Sequence, residues 1–212
     1  MDLHLWLAYV AAAFLIAVSP GSGAVLSMSH GLAYGVRKAS ATIGGLQLGL
    51  LLILLVAGAG VGSLLLASEL AFNVVKVLGA LYLIYLGWCQ WRAGGASPLA
   101  GAHEVPAGSW RKRCLTGFLT NATNPKGIIF MVAVLPQFLT DARPLWSQLL
   151  VIAVTTLAVD TVVMHGYAAS ASAMRRLLRS ARAVQAQNRV FGGLLMAVGA
   201  GLFFVQRGAR HA

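Results

Sequence analysis

Asn124-Pro125-Lys126-Gly127 decides how this 212-residue chain is read, because it interrupts an apolar run that extends from Cys114 to Leu139. Proline has no backbone N–H and its ring clashes with the carbonyl one turn earlier, so a helix through this stretch must break. In hydrocarbon the freed main-chain groups need protein, water or a ligand, and the break should line a cavity. Lys126 lies roughly eleven residues into the run, near the middle of a bilayer at about 1.5 Å of rise per residue. A cation at that depth costs about 2.5–3.5 kcal/mol on insertion scales. It therefore faces a cavity or a partner, or else its long stem snorkels to an interface.

Working outward, the same device occurs 105 residues earlier, where Ser19-Pro20-Gly21 interrupts the run from Leu5 to Met28. A second correspondence joins Lys76-Val77-Leu78-Gly79-Ala80-Leu81 to Arg189-Val190-Phe191-Gly192-Gly193-Leu194, displaced by 113 residues. Apolar segments run from Leu5 to Met28, Ser40 to Leu66, Leu70 to Trp91, Cys114 to Leu139, Trp146 to Ala169 and Val190 to Val205. Three helices thus repeat as a unit, and an odd number inverts the second copy. The expected fold is an all-α membrane protein of six transmembrane helices, built as two inverted three-helix repeats with broken helices one and four. The first repeat is expected over 1–93 and the second over 114–212. The Gly-, Ala-, Ser- and Pro-rich stretch 94–113 is expected to be a cytoplasmic linker between them.

Composition agrees: 58% of residues are hydrophobic and 10% charged, so apolar surface must meet a solvent other than water. The net charge of +11 does not indicate nucleic acid, because the cations cluster between apolar runs without interleaved aromatics. Eleven of them, among them Arg37, Lys38, Arg92, Arg111, Arg175 and Arg189, fall in the connections after the first, third and fifth segments, against Arg143, Arg207 and Arg210 on the other side. The positive-inside bias makes those three connections cytoplasmic and puts both termini outside, with Trp6 and Trp146 at the outer interface. Cys89 and Cys114 match no redox or metal spacing, and no metal site or cofactor is expected. The chain lacks a phosphate-cradling Gly-rich loop and a Ser-His-Asp order, so it is read as neither an ATPase nor another enzyme.

Asp160 is the one carboxylate well inside an apolar segment. It could exchange a driving proton or pair with a substrate ammonium, while Lys126 and opened main-chain amides meet a substrate carboxylate. The alternative is a structural ion pair between Asp160 and Lys126. Asn124 adds an amide at the same depth. Substrate binding is therefore expected at Ser19, Pro20, Gly21, Gln47, Asn124, Pro125 and Lys126, with Asp160 for proton coupling. Gln47 and His165 could instead make interhelical hydrogen bonds. Gly45 and Gly49 have spacing for close helix packing, and Tyr82 and Tyr85 are expected to fill the bundle.

Ser19-Pro20-Gly21, Gly79-Ala80-Leu81-Tyr82-Leu83-Ile84-Tyr85-Leu86-Gly87, and Asn124-Pro125-Lys126 through Leu135-Pro136-Gln137-Phe138 together resemble the LysE/RhtB family of amino-acid exporters. Asp160, Asn188-Arg189-Val190, Gly192 and Gly199 extend the resemblance over nearly the whole chain. It implies inner-membrane export of amino acids, homoserine, homoserine lactone or related metabolites by proton-coupled exchange, as a homodimer or alone. One proton per solute could sustain about a fifty-fold gradient at 100 mV. Two departures stand out. Family members often have Pro-Gly-Pro where this chain has Pro20-Gly21-Ser22, which suggests a softer first break, and Leu50 replaces a polar residue common in the second helix. Competing readings are an uptake permease for the same solutes, or a thiol-disulfide carrier or metal exporter on a similar plan. The position of the two cysteines, flanking a loop, argues against the last two.

Overall fold

The computed structural model describes residues 1–67, 69–92, 108–140, 143–173 and 181–202. The described residues are helical almost throughout. The first apolar run forms α1 (Leu3–Val18) and α2 (Ser22–Tyr34), bent by 58° at Ser19-Pro20-Gly21. Asp2 caps the start of α1 by accepting from the Leu5 N–H at 2.8 Å. Gly35 ends α2 at φ +76°, a conformation that favours glycine, and turns the chain into α3 (Val36–Ala67). Then follow α4 (Glu69–Arg92) and the second interrupted run, α5 (Trp110–Ala122) and α6 (Pro125–Val134), bent by 51°. Pro136 tightens the end of that run into a 3-10 turn, Leu135–Phe138. The chain finishes with α7 (Leu145–Ala173) and α8 (Ala181–Leu202).

Within α3 and α7, the segments Val36–Gly60 and Leu145–Ser172 are each long and apolar enough to cross a bilayer, and so is each bent pair taken as one unit. This is an all-α, multi-span membrane fold. Ser22 in place of a second proline leaves a first bend no smaller than that in helix four.

Each broken helix packs against the long helix of the other half: α3 lies along α5 and α6, and α7 along α1 and α2. Small residues make the first contact possible. A side chain at Gly45 would run into the Cys114 carbonyl, and one at Gly117 into the Thr42 carbonyl, so the α3 and α5 backbones touch as the Gly45 and Gly49 spacing suggested. α4 pairs with α8 through Gly87 against Gly192 in the same way. Two apolar clusters fill the bundle. One gathers Tyr9, Leu50, Phe130, Val134 and Ile152, and the other Met28, Ile43, Leu46, Met164 and Ala168.

Some sequence expectations shift. α8 begins at Ala181, not Val190, because Ala181, Ala183 and Ala186 favour helix and carry it through the polar residues between them. Arg182 and Arg189 thus stand on α8 rather than in a connection, while Arg175, Arg176, Arg179, Arg207 and Arg210 lie outside the described residues. Most of the 94–113 linker also lies outside them. Tyr85 does not fill the bundle: it is 61% exposed. Trp146 is exposed as an interfacial ring would be, whereas Trp6 turns its indole N–H to Thr155 Oγ1 at 3.1 Å.

Gln148, which sequence reasoning missed, ties Thr140 and Arg143 to the first turn of α7. Its buried amide accepts from the Thr140 N–H at 3.0 Å and donates to the Thr140 and Arg143 carbonyls at 2.8 and 2.9 Å. Replacing Gln148 with Leu strands these main-chain groups, a loss of about 1–3 kcal/mol. The detergent-solubilised Q148L protein is expected to melt several degrees below the unaltered chain, and an unchanged melting temperature would refute the clamp.

Candidate functional site

The two helix breaks meet. α1 ends at Val18, and the 58° bend carries the N–H groups of the next turn away from its last carbonyls. Two side chains from the other half take their place. Tyr167 Oη donates to the Val18 carbonyl at 2.5 Å, and Lys126 Nζ donates to the Ser19 carbonyl at 2.5 Å. A cation at the C-terminal end of a helix also opposes the negative end of its dipole. The Lys126 stem lies flat against Gly21, where an added Cβ would stand 3.5 Å from Cδ.

The second break is capped from within. Asn124 Oδ1 accepts from the Lys126 N–H at 3.2 Å, and Pro125 takes the first helical position, where its missing N–H costs nothing. The Asn124 N–H reaches the Asn121 carbonyl at 2.9 Å and that of Ile128 the Asn124 carbonyl at 3.0 Å. Gly127 follows in the first turn of α6, at the positive end of the helix dipole.

Between the breaks lies a cavity of about 70 Å³. Its polar wall comprises Ser19, Asn121, Asn124, Lys126, Thr156 and Asp160, and its apolar wall is drawn from both hydrophobic clusters, so it sits where the clusters adjoin. Asp160 Oδ2 accepts from Gln47 Nε2 at 2.7 Å. Lys126 and Asp160 therefore share a cavity while each has a different direct partner.

Of the residues singled out by sequence, Ser19, Gly21, Asn124, Lys126 and Asp160 line this cavity. Pro20 and Pro125 make the breaks, and Gln47 stands behind Asp160. His165 bridges helices, with its ring nitrogens 2.8 Å from the Thr161 carbonyl and 3.1 Å from Ser40 Oγ. Leu50 is a buried part of the apolar wall. Cys89 and Cys114 are free thiols on α4 and α5.

Sequence reasoning missed Asn121, Thr156 and Tyr167. Asn121 is buried, donates to the Leu46 carbonyl at 2.8 Å and receives Asn124 Nδ2 at 3.4 Å. It closes α5 just before the break, three residues from the Asn124 that caps α6. Thr156 stands four residues before Asp160, on the same helix face, and shares a hydrogen bond with Tyr9 Oη at 2.5 Å.

The family model for the LysE type translocator matches residues 14–206, nearly all of the chain and both breaks. The chain belongs to the LysE-type translocator family. A homoserine/homoserine lactone efflux protein of Salmonella typhimurium is 41% identical over 213 residues, covering 100% of both chains. An uncharacterized membrane protein of Vibrio cholerae serotype O1 is 41% identical over 202 residues, 94% of this chain and 96% of its own length. A leucine efflux protein of an Enterobacter species is 30% identical over 215 residues, 99% and 95% of the two chains. No solved structure matches the chain. As a LysE-type translocator the protein is a transporter and not an enzyme.

In this translocator Lys126 joins the two breaks at the cavity wall. Lys126→Met keeps the stem against Gly21 and deletes the donor to Ser19. The variant is expected to accumulate in the membrane while solute flux falls at least about tenfold, as loss of a charge-assisted contact implies. Flux within twofold of the unaltered chain, measured per folded protein, would refute the assignment.

Proposed function

We propose that this translocator is a multi-pass inner-membrane secondary exporter of amino acids and close relatives of homoserine, driven by protons entering in exchange. The observation that carries the reading is the hydrogen bond from Lys126, in one helix break, to the Ser19 carbonyl, in the other, at the wall of a cavity that also holds Asp160. Paired interrupted helices facing one cavity are what a transport site requires: main-chain groups that hydrocarbon cannot satisfy become ligands for a polar solute. Efflux proteins for homoserine and for leucine among the relatives give the solute class.

In this reading α4 and α8 complete six crossings, and the chain comprises inverted three-helix repeats over 1–93 and 114–212. The exchange of partners supports that symmetry, since each half contributes one broken helix that packs on the other half's long helix. The connections rich in Arg and Lys face the cytoplasm, and the termini face outward.

The substrate carboxylate displaces Lys126 from Ser19 and takes its ammonium together with the Gly127 N–H. This exchanges a neutral acceptor for a charged one, a stronger hydrogen bond. The substrate ammonium goes to Asp160. When the solute leaves outward, a proton from outside takes its place on the carboxyl group. Gln47 suits both states: Nε2 now serves the carboxylate, and its buried Oε1, without a partner, can accept from the protonated acid once the amide turns over.

Asp160→Asn keeps the size of the side chain and removes its proton. Proteoliposomes preloaded with homoserine are expected to show efflux that accelerates when the outside is acidified. With D160N that acceleration should vanish and net efflux fall at least about tenfold. Retained pH-dependent efflux at normal protein level would refute proton coupling through Asp160.

A further inference from the structure

Three glycines line the cavity, Gly21, Gly23 and Gly127. They differ in kind from the glycines that let helices touch. At Gly31 an added Cβ would collide with the Ala168 backbone, and at Gly45 and Gly117 with backbone on the facing helix. At Gly23 its nearest neighbours would be the Leu46 Cδ2 and Cδ1 at 3.5 and 3.8 Å and the Met164 Sδ at 3.8 Å, which are ordinary van der Waals contacts. Gly23 is the second residue of α2, and its φ lies outside the left-handed region that favours glycine. Neither backbone conformation nor packing therefore calls for glycine at this position. What glycine leaves there is room in the cavity.

The direction of that room follows from the wall around it. A solute bound by its carboxylate at Lys126 and its ammonium at Asp160 can extend its side chain toward either apolar cluster. Toward the cluster around Tyr9 the wall carries the large side chains of Phe130 and Met131, both buried. Toward the other cluster the wall is Gly23 on α2, Leu46 on α3 and Met164 on α7, one helical turn beyond Asp160 on the same face. Methionine is the most adaptable of the large apolar side chains and can re-pack around cargo of different length.

We propose that Gly23 and Met164 set the size of the solute side chain this exporter accepts, Gly23 by the volume it leaves empty and Met164 as the movable wall opposite. The inference rests on the exporter reading above and adds which end of the cavity measures the cargo. One methylene more or less in an apolar pocket changes discrimination by about 10–200-fold. Gly23→Ala should therefore penalise long or branched side chains and spare short ones. Met164→Ala should do the reverse.

The test is counterflow in proteoliposomes of the full-length chain with labelled alanine, homoserine and leucine. Gly44→Ala serves as control, because Gly44 is exposed and an added Cβ there meets nothing within 4 Å. The leucine-to-alanine ratio is expected to fall about tenfold or more in G23A, to rise in M164A and to stay put in G44A. Ratios within twofold of the unaltered chain in both G23A and M164A, or shifts of the same sign, would overturn the inference. So would failure of G23A to fold, since the glycine would then serve packing. Absence of counterflow by the unaltered chain with all three solutes defeats the exporter reading itself, which separates the two failures.

Discussion

A helix that stops inside a membrane leaves carbonyls and amides that lipid cannot satisfy, and the rest of this structure is arranged around that debt. At the first break the Val18 and Ser19 carbonyls are met by Tyr167 and Lys126, both from the second half of the chain. At the second, Asn124 caps α6 from within, and neighbouring Asn121 fastens itself to the Leu46 carbonyl of the first half. The first break is completed by the other half, and the second is tied to it through Asn121. The place where the two meet is therefore fixed by hydrogen bonding before any solute is considered.

Packing brings the breaks close enough for this to happen. The α3 and α5 backbones approach within contact at Gly45 and Gly117, which draws Asn121 up to Leu46. α7 crosses both halves of the first broken helix, so one of its faces presents Thr156, Asp160 and Met164 to the cavity in successive turns. The result is a small chamber with a polar wall, an apolar wall and one basic and one acidic side chain. Its polar wall is tied to the first break by the hydrogen bond from Lys126 to the Ser19 carbonyl.

The breaks were legible in the sequence because proline acts through an absent donor, an effect independent of tertiary context. Lys126 and Asp160 were legible for a related reason: a charge inside an apolar run has few places to go. The neutral partners were harder. Gln148, Thr156 and Tyr167 are unremarkable residue types whose importance depends on which carbonyl or hydroxyl lies opposite, and that is decided by helix rotation. Gln47 carried a signal, but only the structure pairs it with Asp160 and sets it behind the cavity. The start of α8 was misplaced because hydropathy reports where apolar residues begin, whereas helix propensity lets alanine-rich polar sequence join the helix earlier. Tyr85 was misjudged because an aromatic ring in a membrane helix is equally at home in lipid.

The central claim is that a solute carboxylate takes Lys126 away from the Ser19 carbonyl. A structure of the full-length protein with homoserine bound tests it most directly. The account requires the carboxylate within hydrogen-bond distance of Lys126 Nζ and the Gly127 N–H, with the Lys126 to Ser19 contact released. Homoserine bound elsewhere, with that contact intact, would contradict it.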